Sequence, residues 1–115
     1  MKNLSLTVLD GNLTADPQLK KTPNGKSVAQ FTLAVNHFTR SENEDGDVSY
    51  FDIETWDKSA EACSEYLKKG RKVTVVGYLK QDRWKNQEGQ SRSKVKIIAD
   101  DVRFDGFDKR EKEAA

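Results

Sequence analysis

Apolar side chains recur at every second position over most of this chain, and that period selects strands. Leu4, Leu6 and Val8 alternate with Ser5 and Thr7. Ala29, Phe31, Leu33 and Val35 share one face of residues 28–36, with Gln30, Thr32 and Asn36 opposite. Phe51, Ile53 and Thr55 share one face of residues 48–56, and Val48, Tyr50, Asp52, Glu54 and Trp56 the other. Val73, Val75, Gly77 and Leu79 mark a fourth strand over 73–80, and Val95, Ile97 and Ala99 a fifth over 94–104. Between the third and fourth strands the period changes. Ala60, Cys63 and Leu67 fall at helical spacing, so residues 57–67 read as a short amphipathic helix. Asp57 or Ser59 is the expected N-cap, and Gly70 the expected C′ residue.

Turn chemistry separates these runs. Asp16-Pro17 breaks the chain after the first strand, where Gly11 suggests a bend. Pro23-Asn24-Gly25 is a turn, as is Asn86–Gln90 with Gly89 at its tip. Residues 40–47 (RSENEDGD) form an acidic hairpin loop expected to be mobile. The order strand, strand, strand, helix, strand, strand fits an all-β OB-fold, a five-stranded Greek-key barrel with one short helix. A different small barrel or a sandwich are the alternatives, though a sandwich usually needs about seven strands. At 115 residues the chain suits a single domain, read as residues 1–105 with a short polar tail over 106–115.

Charge and residue usage narrow the function. The formal net charge is only +1. It conceals a block over residues 40–65 with two basic and nine acidic groups, and a block over 66–103 with eleven basic and four acidic. Such asymmetry hints at a polyanion-binding face. One Cys (Cys63) and one His (His37) give no cysteine zinc site, no His-rich metal site and no internal disulfide. Cys63 is read as a small core residue and His37 as a surface or structural one. The acidic loop lacks the spacing of a calcium loop. No GxxxxGK[ST], GxSxG or HExxH motif is present, and Asp100-Asp101, on opposite strand faces, makes a poor carboxylate pair, so no catalysis, metal or cofactor is expected. No apolar run is long enough for a membrane span. The N-terminus has no signal-peptide core, so a cytoplasmic, nucleoid-associated protein is expected.

The candidate functional residues are aromatics interleaved with bases. Phe38 and Arg40 leave the second strand, Tyr50 and Trp56 lie on the mixed face of the third, and Tyr78 and Trp84 lie on or beyond the fourth. Lys20, Lys69, Lys72, Lys80, Arg83, Lys85, Arg92, Lys94 and Lys96 supply cations. A nucleic-acid single strand asks for both: flat partners for its bases and positive charge for its phosphates. Competing readings place Trp56 in the core where strand meets helix, and Tyr50 or Tyr78 at a subunit interface. Trp84, inside QDRWKNQEG, is poorly suited to burial within its own monomer.

Residues 4–104 resemble the bacterial single-stranded DNA-binding proteins. The matching stretches are GNLTADPQLKKTPNGKSVAQFTLAVN, FDIETWDKSAEACSEYLKKGRKVTVVGYL and DRWKNQEGQSRSKVKIIADDVRF, in the family's order. The resemblance implies an OB-fold that assembles as a homotetramer and wraps single-stranded DNA with little sequence preference, in replication, recombination and repair. It implies stacking by Trp56 and Trp84, with Tyr50 where the family can carry tryptophan, and cations at Lys20, Lys69, Lys80 and Arg83. Asp52 and Asp82 depart from it, standing where some relatives are basic or neutral, so a weakened or rerouted strand path is expected. The family also commonly ends in a flexible linker with an acidic tip of the D-D-x-I-P-F kind. The sequence here ends DGFDKREKEAA without such a tip, as a short-tailed paralogue, a mobile-element version or a truncated chain would, so replication and repair proteins stay candidate partners without that recruiting element. A second function class is a protein-interaction OB module, a replication-restart or assembly subunit with weak DNA affinity, whose aromatics would be interface anchors.

Overall fold

The computed structural model describes residues 2–37 and 47–104. Six strands and one helix follow in the order β1 (Thr7–Leu13), β2 (Gln18–Lys21), β3 (Ser27–Asn36), β4 (Val48–Trp56), α1 (Asp57–Tyr66), β5 (Lys72–Lys85) and β6 (Ser91–Arg103). The strands hydrogen-bond in the order β1-β5-β6-β4-β3-β2, and β1 also pairs with β3, which closes the sheet into a ring. This is a mostly β barrel with one short helix, as the OB-fold expectation requires. All pairings are antiparallel except β4 with β6, which run parallel through Ile53↔Ile97 and Glu54↔Ile98.

The core is the inner face of the ring. Leu33, Ile53, Val73, Val75 and Ile97 meet there, and α1 covers one end with Ala60 and Cys63, followed by Leu67. Cys63 is fully buried, as read from the helical spacing, and burial pushes its thiol up to about 11.

Several boundaries differ from expectation for identifiable reasons. Leu4 and Leu6 precede β1 instead of belonging to it, and both are strongly exposed. The strand continues past Gly11 because β1 changes partner there, pairing with β5 through Asn12 and with β3 at Asn12 and Leu13. A Cβ on Gly11 would lie 2.5 Å from the Ala34 carbonyl oxygen, so the crossover needs glycine. Strand β2 has no apolar alternation, since all four of its residues are exposed, and only its pairing with β3 across the Thr22–Lys26 turn reveals it. Strands β5 and β6 run on as a two-stranded ribbon beyond the barrel, which is why Leu79 and Val95, although on the apolar alternation of their strands, are half exposed. The ribbon leaves the barrel at a register shift beside Gly77, where a Cβ would lie 1.9 Å from the Ile98 carbonyl oxygen.

The helix ends also differ. Trp56 occupies the N-cap position and no side chain caps it. Ser59 instead accepts a hydrogen bond from the buried Thr55 hydroxyl at 2.8 Å. Leu67 closes the helix, and Gly70, at φ +90°, serves the turn into β5 by donating its N–H to the Leu13 carbonyl. The expected mobile loop 40–47 (all but its last residue) and the tail 106–115 lie outside the described residues.

Candidate nucleic-acid interface

Alternation within each strand, combined with the register between strands, decides which side chains share the outer face. On the ribbon, Lys80 faces Lys96, Asp82 faces Lys94 and Trp84 faces Arg92 across the strand pair, with Tyr78 next to Ile98. The parallel seam sets Ile98 beside Glu54, which brings the Tyr50, Asp52, Glu54 and Trp56 side of β4 onto this surface. Strand β3 adds Gln30 opposite Glu54 and Thr32 opposite Asp52, and β2 adds Lys20 opposite Val28. One continuous face from β5 to β2 thus carries four of the five candidate aromatics. Trp84 is 49% exposed and Trp56 is 36% exposed, so neither is a core residue. Tyr50 and Tyr78 are exposed as well. Phe38 and Arg40 lie outside the described residues.

The cations divide into two groups. Lys94 and Lys96, expected as phosphate contacts, are already paired. Lys94 Nζ bonds Asp52 at 2.5 Å, and the Thr32 hydroxyl donates to the same carboxylate at 2.8 Å. Lys96 Nζ lies 2.9 Å from both Glu54 and Asp82. Glu54 is buried, and it also accepts from Trp56 Nε1 at 2.9 Å and from Gln30 Nε2 at 3.4 Å. These bonds form a polar ladder across β3, β4, β6 and β5.

The ladder sets the ionisation of its members. The hydrogen bond from Lys94, helped by Thr32, outweighs burial and holds Asp52 below the usual carboxylate range. Burial pushes Glu54 up, but Lys96, Trp56 and Gln30 together overcome it and the net displacement is downward. Burial pulls Lys96 down, and Asp82 and Glu54 more than reverse it. The departures noted at Asp52 and Asp82 are the acids that occupy these two lysines.

The other candidate cations, Lys20, Lys69, Lys72, Lys80, Arg83, Lys85 and Arg92, have no carboxylate partner among the described residues. Lys80 and Arg92 flank the ladder on the ribbon, and Arg92 is steadied by Gln90 at 3.0 Å. Lys20 lies on β2 at the far edge. Lys69 sits in the turn after α1, its backbone N–H donating to Asp16 at 2.8 Å, and Lys72 starts β5 opposite Asn12. Arg83 and Lys85 fall on the other side of the ribbon, where Arg83 binds Gln81. Between the ladder and the segment Thr14–Gln18 lies a trough of about 410 Å³, floored by Gln30, Thr32, Asp52 and Glu54. His37 has a structural partner, the Ser49 hydroxyl at 2.7 Å. Among the described residues no cluster of acidic, His and Cys groups could hold a metal ion, and no helix is long and apolar enough to cross a membrane.

Sequence reasoning found the aromatics and the bases but missed Gln30, Thr32 and Glu54. Their signal was present: all three are polar residues on the outward half of an alternating strand. Alternation names a face and leaves its cross-strand partners unassigned.

Comparison with known proteins agrees with this architecture. Residues 4–105 match the model of the single-strand binding protein family. The chain is 43% identical over 107 residues to a single-stranded DNA-binding protein of Treponema pallidum, covering 92% of this chain and 60% of that protein. It is 39% identical to single-stranded DNA-binding protein A of Bacillus subtilis, covering 88% of this chain and 59% of that one. It is 40% identical to single-stranded DNA-binding protein 2 of Staphylococcus aureus, with 88% and 72% covered. The chain spans about three fifths of the length of the first two relatives. With the family model covering nearly all of the described barrel, and the barrel closing in the order an OB-fold needs, the chain belongs to the single-strand binding protein family.

Proposed function

We propose that this chain binds single-stranded DNA with little sequence preference, and acts without catalysis in replication, recombination and repair. The observation that carries this is the placement of Tyr50, Trp56, Tyr78 and Trp84 on one sheet face with unpaired cations at its borders. Bases stack on the rings, each contact worth about 1–3 kcal/mol, and phosphates release counterions to the lysines and arginines. Lys20, Lys69, Lys72, Lys80 and Arg92 are the phosphate contacts best placed for this. Arg83 and Lys85 serve a strand that wraps the ribbon. Lys94 and Lys96 contribute less, because carboxylates already neutralise them.

The relatives' names, single-stranded DNA-binding proteins, support the same reading. Adding oligo-dT at low salt is expected to quench tryptophan fluorescence. A folded chain showing no quenching contradicts the proposal.

The working form is a homotetramer. Leu4, Leu6 and Val8 expose apolar surface along an N-terminal segment whose outer edge has no strand partner among the described residues over Thr7–Asp10. Val8 lies across from Val76, two residues from Tyr78, so this apolar surface extends toward that tyrosine. A second copy would cover it. Sedimentation with and without oligo-dT measures assembly and stoichiometry together.

A further inference from the structure

A buried carboxylate on a face meant for phosphates calls for an explanation. It repels the ligand, and its own desolvation is unfavourable unless donors surround it. Glu54 is 7% exposed and receives three donors, from Trp56, Lys96 and Gln30. Its two oxygens divide the work. Oε1 takes Lys96 and Gln30, while Oε2 takes the indole N–H of Trp56 at 2.9 Å.

We propose that Glu54 is a positioning residue for Trp56, fixing the plane of the ring on which a base stacks; this rests on the stacking role proposed above. Trp56 needs such a tether more than the other aromatics do. It stands at the junction of β4 and α1, in extended conformation at φ −126°, with no side-chain cap on the helix beneath it. One bond to a carboxylate that is itself held from two other directions stops the indole from sampling its rotamers, so less freedom is lost when a base arrives. The tether continues outward, because Lys96 joins Glu54 to Asp82 on the ribbon. The stacking ring on β4 is therefore registered to the strand that carries Trp84 two residues later. Trp84 itself has no such restraint, since its indole N–H has no partner among the described residues.

Two substitutions separate positioning from charge. Glu54→Gln and Glu54→Leu each remove one negative charge, but only glutamine keeps an oxygen for the indole. Simple electrostatics predicts that both variants bind oligo-dT more tightly than the parent, and equally. Positioning predicts that Glu54→Leu binds about tenfold more weakly than Glu54→Gln. Equal affinities overturn the proposal.

A second measurement needs no DNA and no variant. In the unmodified chain the indole N–H of Trp56 should exchange with deuterium more slowly than that of Trp84. Equal exchange overturns the proposal even if Glu54→Leu fails to fold. Failure of the DNA-binding reading looks different: the unmodified chain would not bind oligo-dT at low salt, whatever the indole exchange shows.

Discussion

The outer face has a centre and a projecting end, and they are built on opposite terms. At the centre, over β3 and β4, Trp56 is hydrogen-bonded, Glu54 is buried, and the lysines reaching in from β6 meet acids on β4 and β5. At the end, on the ribbon tip, Trp84 stands half exposed opposite Arg92, whose guanidinium donates to the neutral Gln90. The centre is pre-ordered and near neutral; the tip is cationic and loosely held. On the proposed reading, a single strand would gain little phosphate neutralisation at the centre but also lose little side-chain freedom there. At the tip the balance reverses.

The sharpest way to break this contrast is to remove each tryptophan. Trp84→Ala is expected to weaken oligo-dT binding by about 1–3 kcal/mol while leaving Tm nearly unchanged, because the ring is half exposed and its indole N–H has no hydrogen-bond partner among the described residues. Trp56→Ala is expected to lose comparable affinity and to lower Tm as well, since Glu54 then loses a donor. Titration and thermal melts on both variants read this directly, and a Tm loss at Trp84 equal to that at Trp56 would erase the distinction.

The next effect is electrostatic. Arg92→Ala should flatten the plot of log affinity against log salt by about 0.7, the value for one phosphate contact on a single strand. Removing the central pair together, as Asp52→Asn with Lys94→Gln, should leave that slope unchanged. A fall in slope for the double variant would mean that Lys94 exchanges its carboxylate for phosphate.

The smallest effect is in acid stability. Glu54 has its carboxyl held below the ordinary range in the folded chain, so the charged form contributes stability above that range. The contribution disappears as pH falls through the depressed value. The Tm gap between the parent and Glu54→Gln, about 1 kcal/mol in stability terms, should be present at pH 7 and close as pH drops below the ordinary carboxylate range. A gap independent of pH would show that the ladder holds by packing alone.

How much of this was legible in the residues depended on the kind of signal. Core strands with strict alternation, such as Phe31 and Leu33 on β3 or Val73 and Val75 on β5, were readable because burial on one face imposes the period. Strand β2 was not, since a short strand with no buried residue has no period to show. The length of the ribbon was not legible because no residue of β5 past Leu79 is buried, so cross-strand pairing sets its length instead of burial. The charge blocks were visible too, but their relation was not. The acidic block of residues 40–65 and the basic block of 66–103 look like two separate surfaces in one dimension. In the fold they touch, Asp52 with Lys94 and Glu54 with Lys96, because the ring places β4 beside β6. Aromatics suited to stacking could be named from the sequence, whereas the acid that holds one of them required the register.

The partner exchange of β1 also governs when the molecule can form. Its neighbour on one side is β5, with Thr7 opposite Gly77, so β1 cannot be paired along that edge until the ribosome has also made the roughly 70 residues that lead to its partner in β5. Contacts between residues so distant in sequence slow the search for the native state. Until β5 arrives, the apolar residues near the N-terminus are exposed together with an open strand edge, and the growing chain is then at its most prone to associate with its neighbours.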